Sequence, residues 1–336
     1  MNILITGGSG FLGARLARTL LAQGTLSLRG EPNRAIDRLT LTDRVAPPPD
    51  LASDARVQAV TGDLPDLLAA GALPVADTQL VFHLAAAVSG ECEDDFDLGM
   101  RSNLQATLLL LQACRAAGHR PTLVFASSLA VFGNLPGQPL PEPIEDDTLP
   151  TPQSSYGTQK FIGEHLVADF ARKGFIAGRS VRLMTVSVRP GRPNGAASGF
   201  LSGMIREPLA GLPAACPVPA STPVALASPA RTIEGLLCAA QAREAAWGPL
   251  VALNLPSLRT SVGEMAAALG RVAGPAATAL LDWTPDPAVQ RLVSTWPGDV
   301  NWVRARALGL RADADFETVV RDYIRENPGA VKLPLV

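Results

Sequence analysis

Tyr156 and Lys160 stand four residues apart in Ser154-Ser155-Tyr156-Gly157-Thr158-Gln159-Lys160, directly ahead of an apolar helical run. On a helix that spacing stacks two side chains one turn apart on one face. An ammonium beside a phenol favours the phenolate and lowers the phenol pKa. A tyrosine so placed can take a proton from a substrate oxygen, or return one, near neutral pH. Such pairs also occur as plain solvated neighbours, so composition has to sharpen the signal. The chain holds two tyrosines, Tyr156 and Tyr323, and three lysines, Lys160, Lys173 and Lys332. Random placement gives this spacing in roughly two of a hundred such chains. Positive charge is otherwise carried by arginine, a planar permanent fork, whereas lysine is a compact point-like donor. A lysine at this position asks for a reason.

Proton transfer of this kind needs a second hydroxyl and a frame. Leu123-Val124-Phe125-Ala126 reads as a buried strand ending in Ser127-Ser128. In open α/β sheets the ligand crevice lies at the carboxyl ends of the strands, so Ser128 emerges where chemistry is expected. A serine capping a turn is the plainer reading of that residue alone. Tyr156, following after a Pro-rich loop, reverses the balance.

The first strand, Ile3-Leu4-Ile5, runs into Thr6-Gly7-Gly8-Ser9-Gly10-Phe11-Leu12-Gly13 and then an amphipathic helix with Leu16, Leu20 and Leu21 facing the core. Strand, glycine turn and helix suit a dinucleotide pyrophosphate, because backbone approaches closely at the glycines and the helix N-terminus faces the anion. The spacing is Gly7-x-x-Gly10-x-x-Gly13. After an insertion over Gly24 to Ala35, Arg38 to Asp43 reads as the second strand. An acid at its end would hydrogen-bond the adenosine ribose diol and repel a 2′-phosphate, which selects NAD over NADP. A turn-starting aspartate before Pro47-Pro48-Pro49 is the competing reading, and adjoining Arg44 leaves room for some NADP tolerance.

Val57 to Val60 and Gln79 to Ala86 are further strands, the latter ending in small residues that let backbone approach the cofactor. His83, inside that apolar run, reads as a packed core residue. Ser89 to Asp97 reads as an acidic loop at the mouth of the site. Leu104 to Ala117 is an amphipathic helix opened by Asn103, either a cofactor-side hydrogen-bonding residue or an N-cap. Arg182 to Val188 reads as a strand leading to Arg189-Pro190-Gly191-Arg192-Pro193-Asn194. Two arginines in such a loop can clamp an anion bidentately or stand solvated, and both readings remain open. Helices are expected at Phe200–Pro208, Thr232–Arg243, Ser261–Val272 and Asp315–Arg325, with a strand at Leu250–Leu255. The expected architecture is α/β: a Rossmann doubly wound parallel sheet over residues 1–180, with residues 181–336 mainly a substrate-binding lobe interleaved with the last strands.

At 336 residues with 47% hydrophobic residues and a net charge of −2, the chain is an ordinary globular protein without the basic excess expected of a nucleic-acid binder. Cys92, Cys114, Cys216 and Cys238 lie far apart, and His83, His119 and His165 are scattered. That argues against zinc or any other metal and for reduced thiols in the cytoplasm. The chain opens on a strand rather than a secretory signal, and its longest apolar helix pattern is too short for a bilayer.

With the glycine turn, Ser128, Tyr156 and Lys160 assembled, the chain resembles the extended short-chain dehydrogenase/reductases, Rossmann enzymes that include nucleotide-sugar epimerases and dehydratases. The likeness extends through Gly62-Asp63-Leu64, His83-Leu84-Ala85-Ala86, Asn103, Val131-Phe132-Gly133 and Arg182-Leu183. It implies that Tyr156 is the acid/base, that Ser128 orients the substrate oxygen, and that Lys160 binds the nicotinamide ribose and depresses the tyrosine pKa. It implies NAD contacts at Gly7, Gly10, Phe11, Leu12, Gly13, Asp43, Asp63, Leu64, Ala85, Ala86, Ser89 and Asn103. It further implies a homodimer through the helices of Leu104 to Ala117 and Phe161 to Arg172. Sugar-nucleotide members commonly carry an Asn where Thr185 stands and a tyrosine where Phe132 stands. Their Val-Asp-Asp-Val-like segment is here Ala227-Ser228-Pro229-Ala230-Arg231. With its arginine-rich loop, the chain looks instead like the D-erythronate dehydrogenase branch, which oxidises a small hydroxy acid to its 2-keto acid. A substrate carboxylate suits Arg189, Arg192 or Arg231. The alternatives are a nucleotide-sugar epimerase or dehydratase, and an NAD-binding sensor or scaffold without catalysis.

Overall fold

The computed structural model describes residues 1–135, 137–191, 196–249 and 251–335. Its central sheet begins with β1 (Asn2–Thr6), whose apolar run is buried as a parallel strand covered on both faces must be. Helix α1 (Phe11–Gln23) returns the chain to β2 (Arg38–Asp43) and β3 (Val57–Thr61), and β3 is the half-exposed edge. Next come α2 (Leu64–Ala69), β4 (Leu80–His83), α3 (Ser89–Asp94) and α4 (Phe96–Gly99). A π-helical turn over Met100–Gln105 leads into α5 (Ala106–Ala117). Then follow β5 (Thr122–Ser128), α6 (Ser155–Arg172) and β6 (Ala177–Leu183). With β9 (Leu253–Asn254) the strand order is β9-β6-β5-β4-β1-β2-β3, and the pairings from β5 to β3 are parallel. The order reverses beside β1, the switch point at which open α/β sheets bind ligands.

Two expectations about elements are corrected. Ser89 to Asp97 is no loop but the two short helices α3 and α4. The Glu91 carboxylate accepts from the Val88 amide, and Asp95 caps α4 by accepting from the Leu98 amide at 2.9 Å. The acidic residues that looked like loop solvation are helix caps. The strand expected over Arg182 to Val188 starts earlier, at Ala177, and is broken at Met184 before β7 (Thr185–Val186). Arg179 hid its start, being a buried charge in a strand.

The chain divides into two compact units. The first comprises Met1–Ser128, Ser154–Arg182 and Ile233–Leu253 and carries nearly all of the central sheet. Leu4, Val81, Leu110, Leu111, Leu123, Phe125 and Val167 pack there between sheet and helices. The second unit comprises Leu129–Gln153, Leu183–Thr232 and the chain from Asn254 onward. It holds α7 (Gly199–Leu209) and a three-stranded sheet in which β8 (Pro223–Ala227) lies between β7 and antiparallel β10 (Leu258–Ser261). Its core joins Met204, Ile205, Leu226, Met265, Leu269, Val320 and Tyr323. Helix α8 (Pro229–Gln241) runs from one unit's sequence into the other's, and the short α9 (Glu244–Trp247) precedes β9. Helix α10 (Val262–Thr278) opens on a Ser261/Glu264 capping box and outlasts the expected Val272, crossing a kink at Gly274-Pro275.

Candidate active site

The glycine turn is built by close approach. Gly7 has φ +70°, and a Cβ there would lie 2.8 Å from the Ala85 nitrogen. A Cβ at Gly13 would lie 2.0 Å from the Gly7 carbonyl oxygen. Only glycine lets β1, the turn and α1 nest this tightly. Gly10 stands at the N-cap of α1, and no side chain caps the helix. The first turn, from Phe11 and Leu12 to Gly13, carries no acidic residue. An uncapped helix start with a narrow glycine cradle fits a dinucleotide pyrophosphate.

Asp43 ends β2 beside that cradle. One carboxylate oxygen accepts from the Ser9 and Gly10 amides at 3.1 and 3.2 Å, and the other from the Arg44 amide at 2.7 Å. Asp63, just ahead of Leu64 and α2, lies between two guanidiniums, accepting from Arg44 Nε at 3.0 Å and Arg101 Nε at 2.9 Å. Arg44 also donates to the Ser102 hydroxyl. Ala85 closes on the turn, its amide 3.2 Å from Thr6 Oγ1. Ala86 is half-buried, and buried Ser89 starts α3.

Asn103 is buried within the π-helical turn, which excludes the N-cap reading. Its side chain clamps the backbone after β4, accepting from the Ala87 amide at 2.8 Å and donating to the Ala87 carbonyl and to Gln159 Oε1. His83 is core, as expected, with ring nitrogens 2.7 Å from Thr6 Oγ1 and 2.9 Å from Thr107 Oγ1. Burial, helped by the Lys160 charge, pushes its pKa down to about 3, so it stays neutral.

Ser154 caps α6, accepting from the Gly157 amide at 3.1 Å, and the Glu93 carboxylate on α3 accepts from the Ser155 amide at 2.7 Å. Negative charge at this helix start fixes the first turn, which carries half-buried Tyr156. One turn on, Lys160 is buried. Its Nζ donates to the Ala126 carbonyl at 2.8 Å and lies 4.9 Å from the Phe125 ring centre and 5.7 Å from that of Tyr156. Burial pushes the Lys160 pKa down to about 8, opposed by Cys92 and Glu164. The ammonium thus faces β5 just before Ser128, the strand's half-buried last residue.

A network that sequence reasoning missed fixes this geometry. Arg182 on β6 donates from Nε and Nη2 to the two Glu164 oxygens, both at 2.9 Å, and Ser127 donates to Glu164 Oε1 at 2.5 Å. All three side chains are buried. Glu164 lies one turn beyond Lys160, so the network pins α6 against β5 and β6 and sets the frame of Ser128, Tyr156 and Lys160. The Lys160–Glu164 spacing was available as a signal; the strand partner was not.

The first unit thus gathers the glycine turn, Asp43, Asp63, Ala85, Asn103, Ser128, Tyr156 and Lys160. Arg189 and Arg231 belong to the second. Arg189 donates its amide to Ser202 Oγ and accepts at its carbonyl from Arg206. The Arg231 amide donates to Ser228 Oγ, and its Nε lies 3.9 Å from Asp313. Arg192 lies outside the described residues. No group of three or more His, Cys, Asp or Glu among the described residues could hold a metal, and no described helix is long and apolar enough to cross a membrane.

Comparison with known proteins agrees with this architecture. The chain is 51% identical over 332 residues, 99% of its length and all of the relative's, to a D-erythronate dehydrogenase from Cupriavidus necator. It is 40% identical over 325 residues, 96% of its length and 99% of the relative's, to a D-erythronate dehydrogenase from Haemophilus influenzae. The crystal structure of a nucleoside-diphosphate-sugar epimerase from Agrobacterium tumefaciens superposes with a TM-score of 0.88 at 41% identity, covering 98% of this chain and 95% of that one. Residues 3–222 match the NAD dependent epimerase/dehydratase family, and with the glycine turn and the Tyr156–Lys160 helix in place the chain belongs to that family.

Proposed function

We propose that the protein oxidises D-erythronate at C2 to 2-dehydro-D-erythronate with NAD. The observation that carries this reading is the full-length 51% identity to a D-erythronate dehydrogenase. When bound, NAD supplies the acceptor for the C2 hydrogen and its electron pair. Tyr156, as phenolate, takes the C2 hydroxyl proton while the C–O single bond becomes a carbonyl. Ser128 holds that oxygen at the end of β5. Lys160 keeps positive charge beside the phenolate and holds the nicotinamide ribose. The turn of Gly7, Gly10, Phe11, Leu12 and Gly13 holds the pyrophosphate, and Asp63 and Leu64 flank the adenine. Ala85, Ala86, Ser89 and Asn103 line the remainder of the cofactor. Asp43 faces the adenosine ribose and disfavours a 2′-phosphate, and Arg44, tied to Asp63, leaves weak NADP use.

Residues 1–180 form the cofactor part in this reading, and 181–336 supply most of the substrate contacts. Arg189, Arg192 or Arg231 meets the substrate carboxylate. The protein works in the cytoplasm as a homodimer through α5 and α6. Purified protein mixed with NAD⁺ and a panel of four- to six-carbon aldonic acids tests the reading through NADH absorbance. Steady NADH formation with D-erythronate is expected; none with any acid overturns the proposal. Nucleotide-sugar epimerisation is the second reading, carried by the 41% identity to the Agrobacterium epimerase. It requires tight binding of a nucleotide sugar and no net NADH.

A further inference from the structure

A second cluster of charge lies in the same unit, at the other end of the sheet. Arg179, near the amino end of β6, is 3% exposed. Its guanidinium stacks on the Trp247 ring of α9 at 5.1 Å, and Nη1 makes a long contact of 3.4 Å to the Gly178 carbonyl. Its Nε and Nη2 are buried with no hydrogen-bond partner. Arginine cannot shed its proton to escape such a position, so unused donors of this kind are costly. Burial pushes the Arg179 pKa down to about 10, with Glu244 opposing and Arg29 and Arg120 adding to the fall.

Arg29 and Arg120 converge on the same spot. Glu244 lies 3.6 Å from Arg29 Nη1 and 3.0 Å from Arg120 Nη1, and Arg29 Nε is also buried without a partner. Two guanidiniums therefore pair with one carboxylate whose charge also reaches the buried Arg179, so three positive charges stand near one negative. Arg29 and Arg120 have φ of +53° and +55°, and among the described residues they are the two non-glycine positions with positive φ. Strained backbone at both, each aiming an arginine at one point, marks a site rather than a chance of packing. Arg120 precedes β5 and Ser128 ends it, so the cluster stands roughly 20 Å from the catalytic groups by strand rise.

We propose that Arg29, Arg120 and Arg179 form a binding site for a phosphoryl dianion, either free phosphate or a phosphate monoester. Two excess charges match a dianion, and converging forks match the oxygens of a tetrahedral group. The buried Arg179 guanidinium adds its charge to the site. Glu244 holds the arginines in place and competes with the ligand.

The test is titration calorimetry on the full chain saturated with NAD⁺, which blocks the glycine turn as a competing phosphate site. Inorganic phosphate at low ionic strength should bind saturably. Arg120→Asn keeps a residue type tolerated at positive φ and should weaken binding by about tenfold or more. Glu244→Gln should tighten it, a change of sign that a purely structural cluster would not give. Both variants should keep phosphate-free turnover and the native circular dichroism spectrum. Tighter binding of glycerol 3-phosphate than of phosphate assigns the monoester, and the reverse assigns the free ion. The proposal is overturned by absent saturation, by unchanged affinity in Arg120→Asn, or by succinate binding as tightly as phosphate.

Discussion

Lys160 and Arg182 are both buried cations packed against β5, yet only Arg182 is in contact with a counter-ion. Arg182 meets both oxygens of Glu164, and Ser127 satisfies that carboxylate further. Lys160, one turn back along α6, has a carbonyl oxygen and aromatic faces around it. Its pKa falls to about 8 because burial outweighs its neighbours. A charge with its full set of partners contributes to architecture. One buried against neutral groups costs stability, and that cost is tolerated where the charge has work to do.

Tyr156→Phe gives the largest effect that bears on this contrast. It should lower turnover by about 10²–10⁴-fold while NAD⁺ affinity stays level, read by steady-state kinetics and titration. Turnover within tenfold of the parent would leave Lys160 with no phenol to serve, and the contrast would fail. Arg182→Met strands a buried carboxylate and should cost about 3–5 kcal/mol in urea unfolding. Pairing it with Glu164→Leu should recover most of that loss, because the double change removes both charges.

Lys160→Met should move stability the other way. The Lys160 pKa lies below its unfolded value of 10.5, so the folded state binds fewer protons between about 8 and 10.5. Parent stability is therefore full above that window and lost as pH falls through it. The variant should be more stable by up to roughly 3 kcal/mol at pH 7, with the gain gone above about pH 10.5. It should also lose turnover. Destabilisation at pH 7 would make Lys160 one more structural cation. The smallest effect is expected at Asn103, a neutral buried group with a good partner set. Asn103→Ala should cost about 1–3 kcal/mol in the same unfolding assay and raise the KM for NAD⁺ through the loosened Ala87 backbone.

Much of this frame is legible in sequence because it is local. The glycine turn, β2 ending at Asp43, the helical run at Tyr156 and the Tyr156–Lys160 spacing each declare themselves within a few residues. What escaped depends on partners distant in sequence. Arg179 masked the start of β6, since a charged residue reads as surface until Trp247 is known to meet it. The acidic run from Ser89 is the exception: Glu91 and Asp95 cap amides three residues away, at Val88 and Leu98, and only the bond from the Ser155 amide to Glu93 is distant in sequence. For the arginines of the substrate reading, spacing carries no signal at all.

The first compact unit takes its chain from three stretches, the last of them Ile233–Leu253. On the ribosome it therefore stays incomplete until residue 253 has left the exit tunnel, by which time most of the intervening chain has been made. At about 5–20 residues per second, the segments up to Arg182 wait several seconds for that last stretch. During that wait β6 lacks its outer neighbour β9, and its exposed edge can recruit a foreign strand. Truncation before residue 253 makes the condition permanent, so such fragments should aggregate rather than yield a free-standing cofactor domain.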